Sequence, residues 1–315
     1  MTKPVTVASL VESYLATRRS AGFDLRETGS QLHAFARFAD QRRHSGPITT
    51  ALALDWAQST KHGRPITAAR RVEVLRPFMK HCVALDCASE VLPPGVCGPA
   101  HRRLAPHIYT DSEIHNLLQA AMRLSPTGGL RPICYKTLFG LLAVTGMRVS
   151  EALGLEQADV NLDQRLLTIR KTKFRKSRVV PIHRTTASAL HRYREVRQQR
   201  GVATGCTALF VSSIGKRLAR RTVHGVFQRL RNELGWRARG GHPHPRLHDL
   251  RHTFICRALL RSQQDAVPAD SIVDTIATYV GHAKVSDTYW YLSATPELLS
   301  AAAIRFTPLA EGGER

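Results

Sequence analysis

Between Leu92 and Pro106 the chain reads LPPGVCGPAHRRLAP, and nothing regular can run through it. Proline fixes φ and lacks an N–H, and glycine loses the most freedom on ordering, so their density here denies the backbone a helix or an interior strand. The stretch reads as a linker over residues 93–106. It divides the 315 residues into two folding units, 1–92 and 107–315, each long enough to enclose its own core.

The first unit is written in helical spacing throughout. Leu10, Val11, Tyr14 and Leu15 recur on one face, followed by Arg18, Arg19 and a stop at Gly22. Thr28 with Gln31 has the spacing of a capping box ahead of Leu32, Phe35, Phe38 and Ala39. A third helix is expected over Leu52–Gln58 and a fourth over Thr67–Leu85, where Val72, Leu75 and Met79 form a stripe and Pro77 should kink or split it. These segments make a small four-helix domain with no chemistry of its own.

The second unit mixes periods. Thr110-x-x-Glu113 is a capping box before Ile114, Leu117 and Leu118, and the apolar run Ile133–Val144 must be a largely buried helix. After Thr145-Gly146 a further helix is expected from Met147, carrying Arg148, Glu151 and Leu155. Leu166–Arg170 and Arg178–Ile182 are short β-type runs flanking KTKFRKS, which reads as a strongly basic hairpin. Helices resume at Thr185–Arg200, Arg221–Leu234, His248–Leu260, Pro268–Val280 and Pro296–Ile304. The fold class expected is mainly α with a small β-sheet: a helical N-terminal domain followed by a mixed α/β domain.

Charge names the partner class. Lys and Arg total 46 against 24 Asp and Glu, a formal net charge of +22. The stretch Arg165 to Arg251 holds 22 basic side chains and only Glu195, Glu233 and Asp249 as acids. A field of one sign attracts a polyanion, and nucleic acid is the first candidate. The six cysteines form no CxxC pair, no targeting segment opens the chain and no apolar run spans a bilayer, so a reducing cytoplasm, at the nucleoid, is the expected compartment and no membrane is involved.

Four islands carry candidate chemistry. Alone, Arg148 with Glu151 in TGMRVSEALGL is an ion pair, His248, Arg251 and His252 in LHDLRHTF are a basic helix start, Lys173 is a turn lysine, and His282 in GHAKVSDTYWY follows a helix end. Together they are complementary tools for one reaction. Two guanidinium groups can clamp the non-bridging oxygens of a phosphodiester and stabilise the added charge of pentacoordinate phosphorus. A lysine can protonate the departing 5′-oxygen, and histidines can relay the proton of a tyrosine nucleophile.

These boxes resemble the tyrosine recombinase (phage integrase) family, which includes the Xer-type recombinases, in its order Arg, Lys, His-x-x-Arg, His, Tyr. The resemblance covers most of 106–295. It implies that Arg148, His248, Arg251 and His282 act on the phosphate, with Glu151 in support. Tyr291, nine residues after His282, becomes the nucleophile in preference to Tyr289. Counting back from Val180-Pro181 points to Lys173 as proton donor, with Lys171 and Lys176 in competition. The expected DNA contacts are Lys171, Arg175, Lys176, Arg178, Arg102 and Arg103.

By the same resemblance the chain is expected to be a site-specific recombinase acting through a 3′-phosphotyrosyl link, without metal, ATP or other cofactor, on double-stranded DNA. A homo-tetramer in the synaptic complex and companion recombinases are implied with it, and the apolar helix of Leu298, Leu299 and Ile304, with little chain left to bury it, is expected to dock on a neighbouring protomer. The unfamiliar N-terminal sequence favours a mobile element over chromosome-dimer resolution. The competing readings are a type IB topoisomerase-like enzyme, a non-catalytic DNA-binding accessory factor, and a metal site at His242, His244, His248 and His252. Asp287 stands close to the tyrosine, where it either raises the phenol's pKa or caps a helix.

Overall fold

The computed structural model describes residues 6–59, 65–85, 88–100, 103–170, 177–200, 205–264 and 269–294. It falls into two compact units, Met1–Arg103 and Leu104–Arg315. The boundary falls inside the stretch 93–106 expected as a linker, most of which goes with the first unit. Leu92 and Ala100 are buried, and Arg76 and Arg70 donate to their carbonyls at 3.0 and 3.3 Å. Prolines and glycines keep this backbone from forming a ladder, so side-chain cations satisfy its carbonyls and seat it on the first unit.

Four helices are described in the first unit: α1 (Val7–Ser20), α2 (Arg26–Gln41), α3 (Thr50–Gln58) and α4 (Pro65–Leu85). Thr6 and Ser9 cap α1 reciprocally, and Arg18 and Arg19 lie in its last turn, where the helix dipole favours cations. The capping box read at Thr28 is not there. The helix starts two residues earlier, behind Leu25 at φ 46, with no side-chain cap and Glu27 supplying the first-turn negative charge. Partly buried Leu25 packs on the core, so apolar anchoring sets this start rather than a hydroxyl. Nor does Pro77 split α4, which runs unbroken. Leu75, Phe78 and Met79 around it are fully buried, and that burial offsets the backbone hydrogen bond the ring removes. Edge-on contacts of Tyr14 with Phe78 (5.7 Å) and Phe35 with Trp56 (5.4 Å) centre the core.

The second unit opens with α5 (Asp111–Met122), capped by Thr110 and Glu113 as their spacing predicts. The central helix α6 (Leu130–Thr145) follows, with Leu138, Phe139 and Leu142 buried. A short α7 (Val149–Gly154) and a 3-10 turn (Gln157–Asp159) lead into three antiparallel strands in the order β1 (Val160–Asn161), β2 (Leu166–Ile169), β3 (Arg178–Pro181). The register pairs Leu167 with Val180 and Ile169 with Arg178. Leu167, Ile169 and Val180 all face the core, the alternation that a one-sided sheet requires.

The remaining elements are α8 (Arg184–Gln199), α9 (Arg220–Glu233), α10 (Asp249–Gln264), α11 (Ala269–Val280) and α12 (Ser286–Ala294). The last three share a core of their own, built from Ile255, Cys256, Leu259, Val273, Ile276, Val280 and Tyr291. This cluster holds the tyrosine helix against the box that contains Arg251. The basic stretch 171–176, with Lys171, Lys173, Arg175 and Lys176, lies outside the described residues, as do Arg102 and the expected helix Pro296–Ile304. No helix among the described residues is long and apolar enough to cross a membrane.

Candidate active site

The site begins at the turn between α6 and α7. Gly146 closes α6 at φ 60, its N–H bonded to the Leu142 carbonyl at 3.1 Å. A Cβ there would also meet the Phe254 ring at 2.5 Å, so both backbone and neighbour demand glycine. This tight turn puts Arg148 at the cap of α7, one residue before the helix, not inside it as its sequence suggests. Glu151 accepts the Arg148 backbone N–H at 2.9 Å on Oε2 and the Arg148 guanidinium at 2.9 Å on Oε1. The cap therefore orients the cation as well as starting the helix.

The C-terminus of α11 supplies the floor. The N–H of His282 reaches back to the Ala277 carbonyl at 2.8 Å, and Gly281 adopts φ 71. This is a Schellman ending with glycine in the left-handed position. Three successive carbonyls are left over, and three arginines take them. Arg178 Nε donates to Tyr279 at 2.9 Å, Arg251 Nη1 to Val280 at 2.8 Å and Arg148 Nη1 to Gly281 at 3.0 Å. The negative end of a helix dipole thus faces a cluster of cations.

The turn into α10 is fixed by fully buried Asp249, which accepts the Arg246 backbone N–H and its Nη2, each at 2.7 Å. Two residues on, Arg251 is 3 % exposed and also donates to the Gly146 carbonyl at 2.8 Å. Its Nη2 is buried with no hydrogen-bond partner among the described residues. An unmet charged donor is costly, on the order of 1–3 kcal/mol or more, and persists where an incoming anion supplies the acceptor. Burial and then the nearby Arg148 lower the Arg251 pKa to about 10, which leaves it charged at neutral pH.

Tyr291, 3 % exposed, brings its hydroxyl to 2.6 Å from His252 Nδ1. His282 stacks nearly parallel to the tyrosine ring at 6.3 Å and holds Thr288 Oγ1 at 2.6 Å. The His248 ring meets His252 edge-on at 4.8 Å. Burial first, and then neighbouring charges, hold all three imidazoles neutral. Their pKa values fall to about 4 for His248, about 4 for His282 and about 2 for His252. His248 is exposed, with protein packed around it, and Arg251, Arg246, Arg148 and Arg220 all oppose its protonation. A neutral His252 carrying its hydrogen on Nε2 has a lone pair on Nδ1 for the phenolic proton.

Of the residues singled out in the sequence, Arg148, Glu151, Arg251, His282 and Tyr291 converge here, with His248 beside His252. Tyr289 lies on the other side of α12 and is 42 % exposed. Arg103 is exposed. Arg178 is not placed as a DNA contact: its side chain is 13 % exposed and its guanidinium straddles both Glu151 oxygens at 3.1 and 2.9 Å. Two members of the site escaped the sequence reading as such, Arg178 and His252. A signal existed for His252, one turn beyond His248 on the same helical face. Among the described residues no three His, Cys, Asp or Glu side chains gather as a metal would need.

Comparison with known proteins gives the same picture from another side. The phage integrase family matches residues 108–297. The "Putative integrase/recombinase y4rB" of Sinorhizobium fredii is 38% identical over 304 residues, covering 95% of this chain and 96% of that one. Tyrosine recombinase XerD of Mycobacterium tuberculosis is 29% identical over 279 residues, covering 88% of this chain and 81% of its own. Among solved structures, the Tn1549 transposon integrase in complex with transposon right-end DNA superposes with a TM-score of 0.67 at 18% identity, covering 96% of this chain and all of that one. A lambda integrase tetramer bound to a Holliday junction gives 0.63 at 19% identity, over 92% and 78% of the respective chains.

Proposed function

The chain belongs to the phage integrase family of tyrosine recombinases, and from that premise we propose that Tyr291, Arg148, Arg251, His248, His252 and His282 carry out its strand cleavage. It is a site-specific DNA recombinase that breaks and rejoins strands without metal or ATP. The phenolic oxygen of Tyr291 attacks the scissile phosphorus, and its proton passes to His252 Nδ1, whose basicity the negative charge of the bound phosphate raises from the low value burial and the arginines impose. The bond from phosphorus to the 5′-oxygen breaks, leaving a 3′-phosphotyrosyl link and a 5′-hydroxyl. That oxygen needs a proton, and Lys173 is its donor in this reading, by resemblance to the family. Arg251 and Arg148 hold the non-bridging oxygens, where charge grows most in the transition state.

The observation that carries this assignment is the buried, unmatched Nη2 of Arg251 in the same site as a tyrosine hydroxyl already bonded to a neutral imidazole. Among the described residues Arg18 and Arg194 also bury an unmatched Nε, so it is the place of the Arg251 donor, in the site of the Tyr291–His252 pair, that gives it meaning. Its surroundings leave one hydrogen bond to be completed by an anion.

The protein acts on DNA as an oligomer, and we read the working assembly as a tetramer. The lambda integrase neighbour, itself a tetramer on a Holliday junction, supports that reading. The similarity to an integrase/recombinase over nearly the full length of both chains, together with a transposon integrase neighbour, supports a mobile-element role. Nicked duplexes tiled across the DNA that flanks the gene test the chemistry by covalent trapping. The wild type and Tyr289→Phe form a 3′-linked adduct, and Tyr291→Phe does not. Loss in Tyr289→Phe alone would move the nucleophile, and no adduct despite tight binding would leave a DNA-binding accessory factor.

A further inference from the structure

Three arginines occupy the last carbonyls of α11, and the reaction accounts for only two. The third, Arg178, sits at the start of β3, directly after the basic stretch and paired in register with Ile169. Its Nη1 and Nη2 reach Glu151 Oε1 and Oε2, and its Nε reaches the Tyr279 carbonyl. Glu151 is 7 % exposed and is the same carboxylate that grips Arg148 by backbone and side chain.

From these contacts we infer that Arg178 is a positioning residue for strand cleavage, which acts through Glu151 to hold Arg148 against the scissile phosphate. The inference rests on the active-site reading above and extends it to a residue that does not touch the substrate.

Two physical arguments support it. The first is geometric. A carboxylate bound by one arginine can pivot about that contact, whereas a guanidinium fork across both oxygens fixes its plane. Arg178 supplies the fork and Tyr279 fixes the fork, so Glu151 presents Oε1 to Arg148 in one orientation. The second is electrostatic. One carboxylate paired with Arg148 alone would cancel the clamp's charge. With two guanidinium groups on one carboxylate the cluster keeps a surplus positive charge for a phosphate. Burial by itself would raise the Glu151 carboxyl, but the hydrogen bonds and charges of Arg178 and Arg148 hold it below the usual range, so it stays ionised.

Gly281 fits the same design. A Cβ on it would lie 2.5 Å from Arg178 Nη1, and its φ of 71 is one that other residues rarely adopt. The glycine therefore leaves room for the third arginine while its carbonyl holds the first.

The test is single-turnover adduct formation on the nicked substrate, with DNA affinity and melting temperature measured alongside. Arg178→Met should slow adduct formation by about 10²-fold, the scale of an ångström-sized misplacement, with affinity unchanged. Arg178→Lys should recover part of the rate, because it keeps the charge but reaches one oxygen instead of two. In an Arg148→Ala background, Arg178→Met should cost little more, since its route of action is already gone. The melting temperature, together with the partial recovery in Arg178→Lys, guards against a folding defect in the Met variant. Full additivity with Arg148→Ala, a wild-type rate, or a loss of DNA affinity matching the loss of rate would each overturn the inference. If the wild type forms no adduct, the active-site reading fails and takes this one with it. A reactive wild type with an indifferent Arg178 rejects the inference alone.

Discussion

At the scale of single residues, the reaction depends on which of two neighbouring histidines meets the nucleophile. His248 and His252 lie one helical turn apart, and only His252 places a ring nitrogen on the Tyr291 hydroxyl. Replacing His252 with Ala should slow adduct formation by roughly 10²–10⁴-fold, in the range of a lost general base, with DNA affinity kept. A wild-type rate in that variant would return the proton to His248. The sequence shows the His-x-x-Arg-His box plainly, because spacing along one helix is local information. It does not show which ring faces the tyrosine, because that depends on how α12 packs on α10, 39 residues away in sequence. Arg178 illustrates the same limit. Its place in a basic run suggests a phosphate contact, and its real partner, Glu151, lies 27 residues back on another element.

At the scale of elements, helix ends organise the site: the start of α7, the start of α10 and the end of α11 all point into it. Starts made by polar caps were legible, as Thr110 and Glu113 show, while the start of α2 behind Leu25 was not, because an apolar anchor leaves no short-range signature. The helices around the site also half-bury His282, which makes the second unit acid-sensitive. Folded His282 stays neutral down to about pH 4, whereas an imidazole in the unfolded chain takes a proton near 6.5. The unfolded state binds more protons between those values. The stabilising effect is therefore complete above about pH 6.5 and is lost as the pH falls toward 4. Melting of the protein without DNA should show a lower transition temperature at pH 5 than at pH 7.5 at fixed salt. The drop should be smaller in His282→Asn, and an identical drop in that variant would show that its imidazole is not one of the groups responsible.

At the scale of the whole molecule, the formal charge of +22 should govern how tightly DNA is held. Affinity should fall linearly on a log–log plot against salt, with a slope near 0.9 per phosphate neutralised, and a flat plot would remove the DNA-gripping role of the basic stretch. The division into two units was visible because prolines and glycines interrupt the helical pattern. What no local pattern announces is that arginine side chains draw Ala100 and Leu92 onto the first unit. The burial of Tyr291 has one more consequence, for reactivity. The phenol that solvent meets on α12 is Tyr289, and the one assigned to attack is packed into the core that joins α10, α11 and α12. Packed this way, the proposed nucleophile is a core side chain, shielded from reagents in solution. Handing it to a phosphate takes apart some of the packing that keeps its own helix in place, so each covalent intermediate exchanges an anchor within the protein for an anchor on a DNA strand.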